Sequence, residues 1–410
     1  MTDDTKPELC GSVAANRYLR RAVDRCLADG IEREQVAEAL VRMTEAVHSE
    51  IAEARDEYRA TPELSDSIDQ VPAGAECACG WVYSADHHFC SRCGSPLQPS
   101  IVPKAVPGRL QFERRLGKGG SGVVYEAVDL SLGRRVAVKT LPTVCSPSDI
   151  ARLRREAQTL AAVSHRNLAT VYGFKVYRGT PMIIMEFVDG STLAERIPLP
   201  LDVAIEVMLE VTEVVACLHK AGVVHRDIKP RNIAFNSAGD LKLLDFGLAR
   251  LEREATMSGV GGHVVVGTPA YLSPEAHNHE RANPSFDLWA LAVTFYEVLT
   301  GRRPFEAVSP GCVGEAIRDG RRVPISAHIA NVPVELDCFF ARALALDMPA
   351  RPRNTQELSK RLAELRRAAH EAARASGGCG PQRHDYKRHH AEEHGSDEGG
   401  CHAEAQGALS

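Results

Sequence analysis

One stretch restricts what this chain can be more than any other: His225-Arg226-Asp227-Ile228-Lys229-Pro230-Arg231-Asn232, followed shortly by Asp245-Phe246-Gly247. It gathers four polar side chains with separate chemical jobs. Phosphoryl transfer needs a carboxylate that orients an attacking hydroxyl and takes its proton. It also needs oxygen ligands for magnesium, and positive charge on the oxygens that gain negative charge. Asp227 fits the first need and Lys229 the last. Asn232 and Asp245 fit the second, because hard cations take oxygen ligands. Apolar runs flank the set: Val223-Val224 before it, Ile233-Ala234-Phe235 after it, and Leu241 to Leu244 leading into Asp245. They predict short buried strands that hold the loops rigid. His-Arg-Asp alone is a tripeptide that chance supplies on many core loops. Asn232 and the Asp-Phe-Gly at their spacing make chance the poorer explanation.

The stretch resembles the catalytic and magnesium-binding loops of eukaryotic-type protein kinases, and Lys229-Pro230 after Asp227 resembles the serine/threonine branch, of the type found widely in bacteria. The resemblance covers roughly residues 110 to 368. It implies an α+β, bilobal kinase fold with a β-rich N-lobe and a helical C-lobe, and ATP and magnesium as cofactors. Leu116-Gly117-Lys118-Gly119-Gly120-Ser121-Gly122-Val123-Val124 reads as a glycine-rich hairpin over phosphates, since glycines let backbone amides approach phosphate closely. Strand-like residues on both sides favour this over a dinucleotide-binding turn. Lys139 ends the apolar run Val136-Ala137-Val138 and would meet the α- and β-phosphates.

Ser146-Pro147-Ser148-Asp149 opens a helix that reaches about Val163. It carries Glu156, which the resemblance pairs with Lys139; a plain surface glutamate is the other reading. Met185-Glu186-Phe187-Val188-Asp189-Gly190 resembles the hinge between lobes. Backbone groups of Glu186 and Val188 would bond the adenine edge, Met185 would stand behind it, and Asp189 would reach ribose. Val203 to Lys220 reads as a long buried helix. The activation segment ends at Ser273-Pro274-Glu275, with serine where the family usually has alanine, and Glu275 matches the residue that pairs with an arginine here numbered Arg351. Thr256 and Ser258 are candidate phosphorylation sites, and Arg226 would pair with a phosphate on that loop. Thr268 would hydrogen-bond Asp227 and Lys229. Asp287-Leu-Trp289-Ala-Leu-Ala292 resembles the helix that supports the catalytic loop through its aspartate, with alanine in place of the usual glycine at 292.

Before that region the chain reads as separate pieces. Residues 1–60 carry two helical stripes, from Ala15 to Leu27 and from Val36 to Tyr58. They form a hairpin that packs on itself or the next module, or a seam that makes a homodimer. Residues 61–74 read as a linker. Cys77, Cys79, Cys90 and Cys93 suit tetrahedral zinc, and residues 75–98 resemble a zinc ribbon that would need its metal to fold. The first pair has one residue between its cysteines where two are common, so His87 and His88 are spare ligands. The ribbon would dock a partner or sense oxidants. Residues 99–109 carry Pro99, Pro103 and Pro107 and read as a stiffer linker. Residues 376–410 have a disordered composition, with histidines that a solvated tail explains better than weak metal binding.

Net charge is −5, so no broad basic field points to nucleic acid or anionic lipid. No apolar run approaches ~18 residues, and the first residues lack an apolar signal core. Apart from the four in the ribbon, the cysteines are scattered singly, as a reducing compartment allows. The expectation is a cytoplasmic, non-specific serine/threonine protein kinase that acts on protein substrates and on itself. The rival is an ATP-binding pseudokinase that works through its N-terminal modules, which predicts a missing lysine, aspartate or glycine. A small-molecule kinase on the same fold is disfavoured by the long activation segment.

Overall fold

The computed structural model describes residues 68, 70–119, 122–141, 147–245, 269–305, 312–330 and 332–375. The helical stripes of residues 1–60, Gly120, Ser121, Phe246, Gly247, Thr256, Ser258, Thr268 and residues 376–410 lie outside them.

Three two-residue strands come first: β1 (Ala75–Glu76), β2 (Val82–Tyr83) and β3 (Gln98–Pro99), in the order β2-β1-β3. A six-stranded antiparallel sheet follows. It contains β4 (Ala105–Val106), β5 (Leu110–Gly119), β6 (Gly122–Asp129) and β7 (Arg134–Thr140). Helix α1 (Pro147–Ala162) leads to β8 (Val171–Tyr177) and β9 (Thr180–Glu186), and the sheet order is β4-β5-β6-β7-β9-β8. Alternation along β6 places Tyr125, Ala127 and Asp129 inward, the period a strand with one covered face requires. Strands β7 and β9 are buried almost throughout, as central strands should be.

Helix α2 (Leu201–Lys220) begins the helical half, and β10 (Ile233–Phe235) pairs with β11 (Leu241–Leu243) beside it. The short α3 (Pro274–His277) precedes α4 (Pro284–Thr300). Asn283 caps α4 by accepting from the Ser285 amide at 2.9 Å, and Gly301 stops it in a left-handed conformation at φ 68°. Its residues Asp287 to Tyr296 are all buried, which marks a helix surrounded by protein rather than one with a wet face. Helices α5 (Val313–Arg318), α6 (Val334–Ala343) and α7 (Thr355–Ala375) complete this half. Helix α7 buries Leu358, Leu362 and Leu365, one stripe at helical spacing.

The structure differs from the sequence reading at both stretches expected to be linkers. Val102 and Val106 belong to the core under β5, and β4 pairs with β5 through Ala105 and Val106. Ile68 and Val71 pack on the same core, and the Ile68 amide donates to the Val176 carbonyl at 3.0 Å. Prolines and polar neighbours signalled a linker there, yet a few apolar side chains suffice to bury a segment that lies along a sheet edge. Val223-Val224 is also not a strand: it is half-buried irregular backbone. The last helix reaches Ala375, beyond the expected end at 368.

Glu275 and Arg351 meet as a buried pair at 2.7 Å. Arg351 also donates to the carbonyls of Ala345 at 2.6 Å and Leu346 at 2.9 Å, and stacks 4.7 Å from the Trp289 ring. Burial would push the Glu275 carboxyl up, but the hydrogen bonds from Arg351 and within the Ser273 turn hold it below its ordinary value. Removing one partner leaves an uncompensated buried charge. Arg351→Met should therefore cost about 3–5 kcal/mol in urea unfolding, and Glu275→Gln added to it should recover part of that loss.

Candidate active site

The loop from His225 to Asn232 hangs from one carboxylate. Asp287 is fully buried on α4, and its two oxygens accept the backbone amides of His225 and Arg226, each at 2.8 Å. His219, at the end of α2, binds the same carboxylate at 2.8 Å. Arg226 sits at φ 68°, a left-handed conformation that costs a non-glycine residue roughly 1–3 kcal/mol. Two charge-assisted hydrogen bonds outweigh that cost. Asp245 also sits at positive φ, 56°. Both turns carry groups whose aim the backbone must fix.

Asp227 is the centre of the arrangement. Its Oδ2 accepts from Lys229 Nζ at 2.8 Å and from Asn232 Nδ2 at 2.9 Å. The Asn232 amide nitrogen also donates to the Asp227 carbonyl at 2.7 Å. That commits the nitrogen of Asn232 to the loop and makes its carbonyl oxygen the atom a hard cation would take. The Asp227 amide donates to His225 Nδ1 at 3.3 Å, so the ring proton lies on Nε2, which donates to the Leu244 carbonyl at 3.1 Å. The Leu244 amide in turn donates to the Asn232 carbonyl at 2.7 Å. Asp245, next in the chain, is thereby tied to the Asp227 loop.

Across the cleft, Lys139 is the last residue but one of β7, and its side chain is buried. In register it lies between Val124 of β6 and Ile183 of β9, so the strand that carries it is fixed on both sides. Its ammonium ion-pairs with Asp245, not with Glu156 as the sequence suggested. A buried ammonium must have a counter-charge, and the carboxylate that reaches it comes from the turn after β11. Leu116 to Gly119 lie on β5, and Gly122 to Val124 on β6. Gly122 has φ 125°, and a Cβ there would collide with the Thr140 carbonyl, so the hairpin needs glycine at that position. At the end of β9 the Glu186 amide donates to the Thr170 carbonyl at 2.8 Å, so its carbonyl is what Glu186 can offer a ligand. Asp189 accepts the Ser237 amide at 2.9 Å and pairs with Arg135 at 3.3 Å.

Residues 110–362 match the family described as "Protein kinase domain". This chain is a member of the protein kinase family. A probable serine/threonine-protein kinase of Streptomyces coelicolor is 37% identical over 268 residues, covering 62% of this chain and 40% of that protein. Serine/threonine-protein kinase PknL of Mycobacterium tuberculosis (strain H37Rv) is 35% identical over 256 residues, covering 61% of this chain and 63% of that protein. The match thus spans between about a third and two thirds of the first curated relatives' length. The crystal structure of the M. tuberculosis PknI kinase domain superposes with a TM-score of 0.51 at 22% identity, covering 65% of this chain and 99% of that one, and shows the shared fold. Among the described residues no helix is long and apolar enough to cross a membrane.

The kinase region carries support that the sequence reading passed over. His225 belongs to the motif and also bridges the two loops; His219, near the end of α2, completes the Asp287 site. The available signal was an aspartate inside an otherwise apolar helix, which must be satisfied by something.

In front of the kinase sheet, the sulfurs of Cys77, Cys79, Cys90 and Cys93 all lie within 4.8 Å of one another. Cys77–Cys93 is 3.3 Å, Cys79–Cys90 3.6 Å and Cys79–Cys93 3.7 Å. A Zn–S bond of ~2.3 Å in a tetrahedron places sulfurs about 3.8 Å apart, whereas a disulfide brings them to about 2 Å. The thiols therefore fit the metal. The Tyr83 hydroxyl, 3.2 Å away, pushes the Cys90 thiol down to about 6, which favours the thiolate a metal takes. His87 instead contacts Asp86 at 3.2 Å.

Burial holds His225 below its ordinary value of 6.5, outweighing the nearby carboxylates, and burial shifts His165 and His277 the same way. In the unfolded chain these rings take a proton near 6.5, so their contribution is intact above that pH and is lost as pH falls towards the folded values. The His225 ring resonance should show no titration between pH 8 and 6.5, and the urea midpoint should fall as pH drops below about 6.5. His225→Phe should lower stability overall and make that dependence shallower.

Proposed function

We propose that the chain transfers the γ-phosphate of ATP to serine or threonine hydroxyls of proteins, itself included. The observation that carries this reading is Asp227 held between Lys229 and Asn232, with Asp245 tied to the same loop. Asp227 would orient the attacking hydroxyl and accept its proton. Lys229, already 2.8 Å from Asp227, would hold the transferred oxygens. Asn232 and Asp245 would hold magnesium, which supplies charge neutralisation to the phosphates. The Asp245 carboxylate meets Lys139 through one oxygen and keeps the other for a cation. Glu156 on α1 is the carboxylate that the family resemblance assigns to Lys139. Leu116 to Val124 would cover the phosphates, and the backbone of Glu186 and Val188 would hold the adenine edge. Thr256 and Ser258 are the proposed phosphorylation sites of the activation segment. The relatives' names support the serine/threonine class, and no catalytic position is replaced, which disfavours the pseudokinase reading.

Zinc on Cys77, Cys79, Cys90 and Cys93 belongs to the same proposal. So do a cytoplasmic location, which suits free thiols, and a partner or second copy on the N-terminal pieces.

Incubating the purified chain with γ-labelled ATP and magnesium should label it, and Asp227→Asn should lower the rate by about 10²–10⁴-fold. Equal labelling in that variant would overturn the assignment of Asp227. Elemental analysis should find one zinc per chain, with Cys93→Ser reducing the content sharply; wild-type protein purified without chelator and free of zinc would remove the metal assignment.

A further inference from the structure

We propose that Glu76 is a positioning residue through which the four-cysteine site sets the strand of the glycine-rich hairpin, so that metal occupancy and nucleotide affinity are linked. The inference rests on the ATP reading above and adds a regulator to it. Glu76 directly precedes the thiol of Cys77 and is 9% exposed. Its carboxylate reaches out of the ribbon: it pairs with Arg115 of β5, accepts the Tyr125 hydroxyl of β6 at 2.8 Å, and contacts the Ser100 hydroxyl at 3.4 Å. Arg115 in turn donates from its side chain to the Ala78 carbonyl at 3.1 Å and from its backbone to the Gly80 carbonyl at 2.8 Å. Trp81 bridges to Arg114. One turn of the ribbon, between Cys77 and Trp81, therefore grips the two residues that lead into Leu116 and Gly117. The ladder between β5 and β6 shifts register between Arg115 and Gly117, so a bulge lies at the gripped point before pairing resumes from Gly117 to Gly119.

The ribbon cannot hold that turn unaided. Its strands are two residues each, and Val82 is buried in a core built mostly from the kinase sheet, Phe112 and Tyr125 among it. A piece this small takes much of its folding free energy from its metal. Four thiols crowded to 3.3–3.7 Å are stable together when a cation bridges them. Loss of the metal would release the turn, and with it Glu76 and the backbone acceptor of Arg115. Linkage requires reciprocity, so the factor by which zinc tightens nucleotide binding is the factor by which nucleotide slows zinc loss at equilibrium.

The test uses the full chain with zinc bound, the same protein after chelator treatment and return to magnesium, and the variant Glu76→Gln, with Arg115→Lys as a second variant should the first fold poorly. Three readouts are taken: the affinity for ATP with magnesium, the KM and kcat for phosphate transfer, and hydrogen exchange across β5 and β6. Metal removal should weaken nucleotide binding about 5–20-fold, with the loss in KM more than in kcat. Glu76→Gln should show a similar loss while keeping its zinc, and metal removal from that variant should add little. Exchange should rise in β5 and β6 of the metal-free wild type while α4 stays protected. Unchanged affinity after metal removal overturns the proposal, as does full additivity of the two perturbations. If the zinc-loaded wild type binds no nucleotide, the ATP reading fails, and exchange alone judges the grip: deprotection confined to β1–β3 overturns it, and deprotection that spreads through β5 and β6 upholds it.

Discussion

The Asp287 carboxylate is the constraint on which the site depends. It sits where water does not reach, and a buried charge is tolerable only when its lone pairs are filled. Three donors fill them: two amides of the catalytic loop and the His219 ring. The same bonds hold Arg226 in its left-handed turn, which brings Asp227 back toward Lys229 and Asn232. Each bond to a charged acceptor contributes roughly 1.5–3 kcal/mol and the left-handed turn costs roughly 1–3, so the carboxylate dominates. Because α4 is covered on all sides, its aspartate has nowhere to move, and the loop inherits that rigidity.

The second constraint is the buried charge of Lys139. An ammonium buried near the end of β7 takes whichever carboxylate is within reach. Hydrogen bonds through Leu244 bring Asp245 to it from a fixed direction. Glu156 rides on a helix packed mainly against β8, so its place depends on how that helix lies. Which carboxylate meets the ammonium thus depends on how the segments pack and not on the residue types alone.

The four-cysteine segment and the kinase sheet share one core. Val82, Val102 and Val106 share a core with Phe112 and Tyr125. Prolines in a stretch rich in polar residues read as a spacer because composition reports average exposure. It does not report that two valines fall on a sheet that needs covering. The same limit hid the role of Glu76: a glutamate beside a cysteine knuckle looks like a solvated charge until β5 supplies Arg115.

The sequence by itself determined the family and the candidate residues. Asp227, Lys229, Asn232 and Asp245 come at the spacing of the kinase motif, and four cysteines lie in a span short enough to meet. It also determined the long elements, α2 and β7 among them, because hydrophobic periodicity there is set by the elements' own geometry. Only the tertiary structure decided that Lys139 meets Asp245, which histidines support the loop, and that the expected linkers are part of the core. Those outcomes depend on distances between segments far apart in the chain, and a linear sequence names the partners without measuring the space between them.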